Sequence, residues 1–233
     1  MNRFKLFALA FLMTGTVYAA CPEDNFISCL TLQTSPTAAD LLEIEQVSDN
    51  TSKRITIGGL AGRQTIPVSV LYMRPTVSNG AGWHQSVETT AGRPDMVVMD
   101  FDAAADEHVQ FSIPFSNAWN RGTLTYRVHW TTTATDTDGV AWALQAVAIS
   151  NDDTINVVYG TPIVVTDDAI SAAEDELVTA ESAALTVAGT PADGDMVYFR
   201  FFRDVDDGND DMTEKGRLIS IDLFITTDAL NDV

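Results

Sequence analysis

Leu124-Thr125-Tyr126-Arg127-Val128-His129-Trp130-Thr131 decides the fold. Apolar side chains stand at 124, 126, 128 and 130, and polar ones at 125, 127, 129 and 131. Successive side chains of a strand point to opposite faces, so this stretch reads as a strand with one dry and one wet face. The pattern recurs. Val109, Phe111, Ile113 and Phe115 alternate with His108, Gln110 and Ser112; Ile219, Ile221, Leu223 and Ile225 alternate with Ser220, Asp222, Phe224 and Thr226. Further strands are predicted near residues 68–74, 95–101, 140–149, 162–166, 177–188 and 196–203. Such strands, separated by Asp- and Gly-rich turns with no amphipathic helix between them, predict an all-β fold, an antiparallel jelly-roll-type β-sandwich.

Two strands depart from the one-faced rule. In Val140 to Ile149 both parities are apolar and only Gln145 is polar. In Met196 to Phe202, Val197, Phe199 and Phe201 share one face, while Met196, Tyr198 and Phe202 share the other. Burial on both sides requires a cover, and a second subunit is the expected one, with a loop of the same chain as the alternative.

Outward from this core, residues 67–233 form the sandwich and residues 21–66 a smaller element. Leu41 to Val47 and Arg54 to Ile57 flank the turn-like Ser48 to Ser52, which predicts a β-hairpin, and Ala61 to Pro67 reads as a linker. Residues 1–20 carry Arg3 and Lys5, then an apolar run from Leu6 to Val17, then Tyr18-Ala19-Ala20. This is a signal-like leader, too short for a membrane anchor, and no later segment is apolar enough to span a bilayer. The alternative is an apolar tail retained in an assembly. Cys21 and Cys29 could form a disulfide that pins the new amino terminus, or Cys21 could be the acylated residue of a lipoprotein.

The 233 residues carry 13 Lys+Arg against 33 Asp+Glu, a formal charge of −20. That charge disfavours nucleic-acid binding and docking on anionic membranes. With 45% hydrophobic residues, the chain nonetheless has the material for a core. Most acids fall in turn-like clusters, where Asp side chains substitute for backbone acceptors. The densest, Asp204 to Asp211, offers Asp204, Asp206, Asp207 and Asp210 as candidate Ca²⁺ ligands, although Gly208 sits one place too early for an EF-hand.

No sequence motif brings a nucleophile, a base and an orienting group together, so the chain is read as non-enzymatic. The candidate ligand-binding residues are aromatic and polar side chains in loop-like settings: Trp83 and His84 after Asn79-Gly80-Ala81-Gly82, and Trp119, Asn120 and Arg121. An exposed indole beside amide and guanidinium donors suits stacking on a sugar ring, whereas a Trp closing one end of the sandwich is the competing explanation. Trp130 and Trp142 have core parity.

Several ordered blocks resemble tailed-phage virion proteins. The stretch from Ala39 to Ile57 is similar to a hairpin near the start of tail-fibre proteins. Met73-Arg74-Pro75 through Trp83-His84, Thr90 through Asp95, Phe101-Asp102, Glu107 through Phe111, Trp119-Asn120, Asp136 through Trp142, and Asp204 through Thr227 resemble a virion β-sandwich. The resemblance implies a structural or host-attachment role in a symmetric homo-oligomer such as a trimer. Other virion proteins and a host surface glycan would be the partners, and no catalytic residue carries over. The alternative is an exported bacterial carbohydrate-binding protein or lipoprotein, whether secreted, periplasmic or on the outer membrane.

Overall fold

The computed structural model describes residues 62–229 and, before them, the backbone of residues 41–46 and 51–56. The leader, Cys21 and Cys29 lie outside the described residues. The chain divides into two compact units, Met1–Gly59 and Leu60–Val233. In the first, β1 (Leu41–Gln46) pairs antiparallel with β2 (Thr51–Thr56), the hairpin expected from the sequence.

The second unit is an antiparallel jelly-roll-type sandwich. Its strands are β3 (Arg63–Ser69), β4 (Arg74–Pro75), β5 (Gln85–Val87), β6 (Met96–Phe101), β7 (His108–Pro114), β8 (Thr125–Thr131), β9 (Gly139–Ile149), β10 (Ile163–Asp168), β11 (Leu177–Val178), β12 (Met196–Arg203) and β13 (Gly216–Thr226). One sheet has the order β10-β9-β12-β7-β4, and the other β11-β8-β13-β6-β5 with β3 also on β13. The chain crosses repeatedly between the layers, from β6 to β7, β8 to β9 and β12 to β13, so each layer packs on strands from its own sequence neighbours.

The inward parities build the core. Trp142 of β9 packs on Phe101 and Phe201, with ring centroids 5.3 Å away in each case, and 6.2 Å from Trp130. Fully burying an aromatic of this kind contributes roughly 1.5–3 kcal/mol. Gly216 permits the fit, because a Cβ there would come within 2.7 Å of the Trp142 ring. Two polar contacts tie the sheets together. The buried Tyr126 hydroxyl of β8 lies 2.8 Å from the Trp142 carbonyl and 2.6 Å from that of Ile163, and Trp130 Nε1 donates to Asp167 at 2.8 Å.

The structure differs from the sequence reading in four places. The stretch read as a linker up to Pro67 contains most of β3, which pairs with β13 from Arg63↔Thr226 to Ser69↔Ser220. A bulge between Leu218 and Ser220 shifts the parity of β13, so Leu218, and not Ile219, joins Ile221, Leu223 and Ile225 in the core. Residues 177–188 yield only the two-residue β11 and two isolated bridges, Leu185 to Leu124 and Ala188 to Val147. Finally, the outward β9 residues Ala141, Ala143 and Val147 and the β12 residue Phe202 are already buried within a single chain. The segment of the same chain before β10 lies against this side, with Gln145 donating to the Gly160 carbonyl and the Tyr159 ring over Arg200, so the burial is reached without a second subunit.

Beyond β12 the acidic loop is pinned from inside. Arg203 is wholly buried and its guanidinium grips Asp210, with Nε 2.9 Å from Oδ2 and Nη2 2.7 Å from Oδ1. Its remaining donors reach the carbonyls of Met212 and Glu214. Asp210 Oδ2 also accepts from the Ala141 amide, and Asp211 from the Gly139 amide. Removing one member of such a pair leaves the other charged, dry and uncompensated. Asp210→Asn is therefore expected to lower unfolding stability by about 3–5 kcal/mol, read by chemical denaturation. A loss of less than about 1 kcal/mol would show that the pair does not hold the loop.

Candidate functional site

The outer face of the five-stranded sheet carries one polar row. In register, Arg74 of β4 lies opposite Gln110 of β7, Gln110 opposite Arg200 of β12, and Arg200 opposite Gln145 of β9. Neighbouring strands are about 4.8 Å apart, so the row crosses roughly 14 Å of sheet. On one side the parallel row is His108, Phe202 and Ala143; on the other it is Ser112, Tyr198 and Val147. A fifth element completes the patch, since Tyr159, in the segment before β10, lies with its ring centroid 5.3 Å from the Arg200 guanidinium carbon.

The side chains hold one another in place. Arg200 Nε donates to Gln145 Oε1 at 2.7 Å, and Gln145 Nε2 donates to the Gly160 carbonyl at 2.9 Å. Arg200 also lies 6.0 Å from the Phe202 ring, which is 4.9 Å from the His108 ring. Burial is the main cause that lowers the His108 imidazole below its ordinary 6.5, and the Arg200 charge acts with it, while a backbone hydrogen bond to Asn79 and the Asp106 charge oppose. Burial likewise raises the Tyr159 phenol, against the opposing charges of Arg200 and Arg74. The patch offers the partly exposed rings of Tyr159, Tyr198 and His108, the Gln110 amide and guanidinium donors, while Gln145 and Phe202 are buried behind Arg200. The polar row contains no carboxylic acid, so the paired carboxyl groups of glycoside hydrolysis are missing from it.

The residues nominated from the sequence fall elsewhere. Trp83 is 67% exposed, with its ring centroid 6.3 Å from that of His84 in an edge-on arrangement. It follows Gly82, whose amide bonds to Asp100 at the β6 end where β13 begins. Trp119 is instead 2% exposed and packs edge-on against Phe115 at 4.8 Å, closing the sandwich where β13 ends. It is a plug and cannot stack on a ligand. Asn120 caps the Gly122 amide, and Arg121 is paired with Asp193 and Asp228. The two groups sit at opposite ends of β13, about 30 Å apart at some 3.3 Å per residue.

The proposed Ca²⁺ set is also broken up. Asp210 faces Arg203, and Asp207 Oδ1 accepts from both nitrogens of Asn209. Among the described residues no group of three or more His, Cys, Asp or Glu has the arrangement of a metal site. Asp204 remains beside Asp106, Asp206 and Asp207, and burial together with those like charges raises its carboxyl.

No protein-family description matches the sequence, and no curated protein matches it at a significant level. Solved structures of similar shape include a family 35 carbohydrate-binding module from Clostridium thermocellum, with 9% identity and a TM-score of 0.40 over 69% of this chain and 97% of that one. Another is a family 36 carbohydrate-binding module in complex with calcium and xylotriose, with 14% identity and a TM-score of 0.31 over 65% and 98%. A third is infectious bursal disease virus, Gx strain, with 9% identity and a TM-score of 0.36 over 83% and 39%. Likeness at this level identifies neither a family nor a ligand, and it gives the tail-fibre resemblance no support.

The His108 environment has a measurable consequence. Because its native pKa is lowered, the unfolded chain takes up a proton first as pH falls through about 6.5, so stability drops in that window. Asp204 acts with the opposite sign and at lower pH, since its native form protonates first. His108→Gln is expected to lose less stability than the parent between pH 7.5 and 5.5, measured by denaturant titration. A constant difference across that range would exclude His108 as the cause.

Proposed function

We propose that the sandwich is a non-catalytic glycan-binding module whose ligand lies across the outer face of the five-stranded sheet. This is the exported carbohydrate-binding reading of the sequence, in place of the tail-fibre reading. The observation that carries it is the row Arg74, Gln110 and Arg200, set across three strands and bordered by the partly exposed rings of Tyr159, Tyr198 and His108, with the buried Gln145 and Phe202 holding Arg200 in place. A saccharide presents hydroxyls around its rim and apolar C–H groups on its faces. It therefore needs planar donors and acceptors at the edges and aromatic surface beneath, which is what this patch supplies. The donors stand on strands, and Arg200 is fixed by Gln145 and by two rings, so little freedom is lost when a ligand binds.

The chain should retain a subset of glycans on an array, and Arg200→Ala and Tyr198→Ala should each weaken binding at least tenfold by calorimetry, about 1.4 kcal/mol. Trp83→Ala should bind as the parent does. If Trp83→Ala abolishes binding and Arg200→Ala does not, the site is the Gly80 to Trp83 loop; a chain that binds nothing on the array rejects the glycan reading.

A further inference from the structure

We infer that this site, taken as a glycan site as above, selects anionic saccharides: sugar units bearing a carboxylate or a sulfate. The observation is an imbalance of charge. The chain holds 33 acids and 13 bases, so a basic side chain has abundant partners. Arg63, Arg121, Arg203, Lys215 and Arg217 are each paired with carboxylates. Among the described residues Arg74, Arg93, Arg127 and Arg200 have no carboxylate within ion-pair distance, and two of these four stand in one transverse row.

Arg200 is half-buried and its protein partners are neutral: the Gln145 amide oxygen and the rings of Tyr159 and Phe202. A guanidinium has five N–H donors, of which Nε alone is used here, so the planar pair of terminal nitrogens stays free for a carboxylate or sulfate. Arg74 is exposed at the sheet edge, with Gln110 alone between it and Arg200. Two strand spacings separate the arginines by about 10 Å, so they can hold two charges of one oligosaccharide or clamp a single unit from both sides. Tyr159 lies in the field of both arginines. The nearest acid identified at this face is Asp106, beside His108, and its Oδ1 accepts from the Val205 amide.

The overall charge of −20 opposes an anionic ligand at a distance. At physiological ionic strength that repulsion is screened beyond about 8 Å, whereas a direct bidentate contact is not. The expected result is modest long-range repulsion and strong local selection.

The test compares the full chain on polygalacturonate, alginate and chondroitin sulfate with neutral xylan, mannan and mixed-linkage glucan, by affinity electrophoresis and calorimetry. Binding to at least one anionic polymer, absent from the neutral ones, is expected. It should weaken as salt rises from 50 to 500 mM, and Arg74→Gln, at an exposed edge, should weaken it about tenfold without shifting the melting temperature. Arg200→Lys, which keeps the charge and loses the fork, should bind more weakly than the parent. Binding to neutral polymers that Arg200→Ala abolishes overturns the anionic selection and leaves the glycan site standing. Failure to bind any of the six, together with an empty glycan array, overturns both.

Discussion

The register between β9 and β12 is the constraint on which the rest of the molecule depends. Eight pairs, from Met196↔Ile149 to Arg203↔Trp142, place Trp142, Leu144 and Ala146 on the core side with Val197, Phe199 and Phe201. The same pairs place Gln145 beside Arg200 on the outer side. A slip of one residue would carry Arg200 into the core and turn Phe199 and Phe201 outward, so core packing and surface row are one choice. The register is closed at its end by Arg203, the last β12 residue, whose charge has no route to water and is satisfied by Asp210, Met212 and Glu214. The loop that follows β12 is consequently tied to Gly139 and Ala141 at the start of β9. The surface patch inherits its rigidity from the interior.

How far the sequence discloses this depends on how many faces of a strand are dry. One-faced strands are legible, and Tyr126, Val128 and Trp130 are buried as their alternation requires. Where both faces are apolar, periodicity carries no information about cover. The outer positions of β9 are buried within the single chain, with Tyr159 and Gly160 against Arg200 and Gln145, and a hydropathy pattern does not distinguish such cover from contact with another subunit. Gln145 and Arg200 were visible as lone polar residues in such strands, but only the three-dimensional pairing shows them to be adjacent. The bulge at Leu218 to Ser220 was hidden for a related reason, since the extra residue, Ile219, is itself apolar. Trp119 misleads in the other direction. Its neighbours Ser116, Asn117, Asn120 and Arg121 are polar, yet Phe115 draws the indole into the end of the core.

The acidity has a local origin. Asp102, Asp136 and Asp207 each accept the amide two residues on, and Asp153 and Asp195 accept that of the residue three before. These side chains substitute for backbone acceptors in tight turns, so the negative charge accompanies the making of many strand connections. It collects at the ends and rims of the sheets. Asp138 and Asp204 show the cost: burial, with neighbouring carboxylates added to it, raises both.

The two outer faces treat their cations differently, and that difference indicates which of them is open to a ligand. On the six-stranded sheet Arg63 pairs with Glu181 and lies 4.0 Å from the Phe224 ring centroid, His129 bridges Glu176 and Asp222, and Arg217 bridges Asp100 and Glu174. Arg127 is 5.5 Å from the same Phe224 ring. Among the described residues Arg127 has no carboxylate within ion-pair distance and its Nε is buried without a partner, but at Arg63 and Arg217 a ligand would have to displace ion pairs already made, gaining little for each one lost. On the five-stranded sheet Arg200 is oriented by an amide and by rings, which fix its direction and leave its charge unanswered. A charge half-withdrawn from water and left without a counter-charge costs free energy in the unliganded protein. A binding partner that supplies the counter-charge recovers that cost, so the strain resides where recognition is proposed to occur.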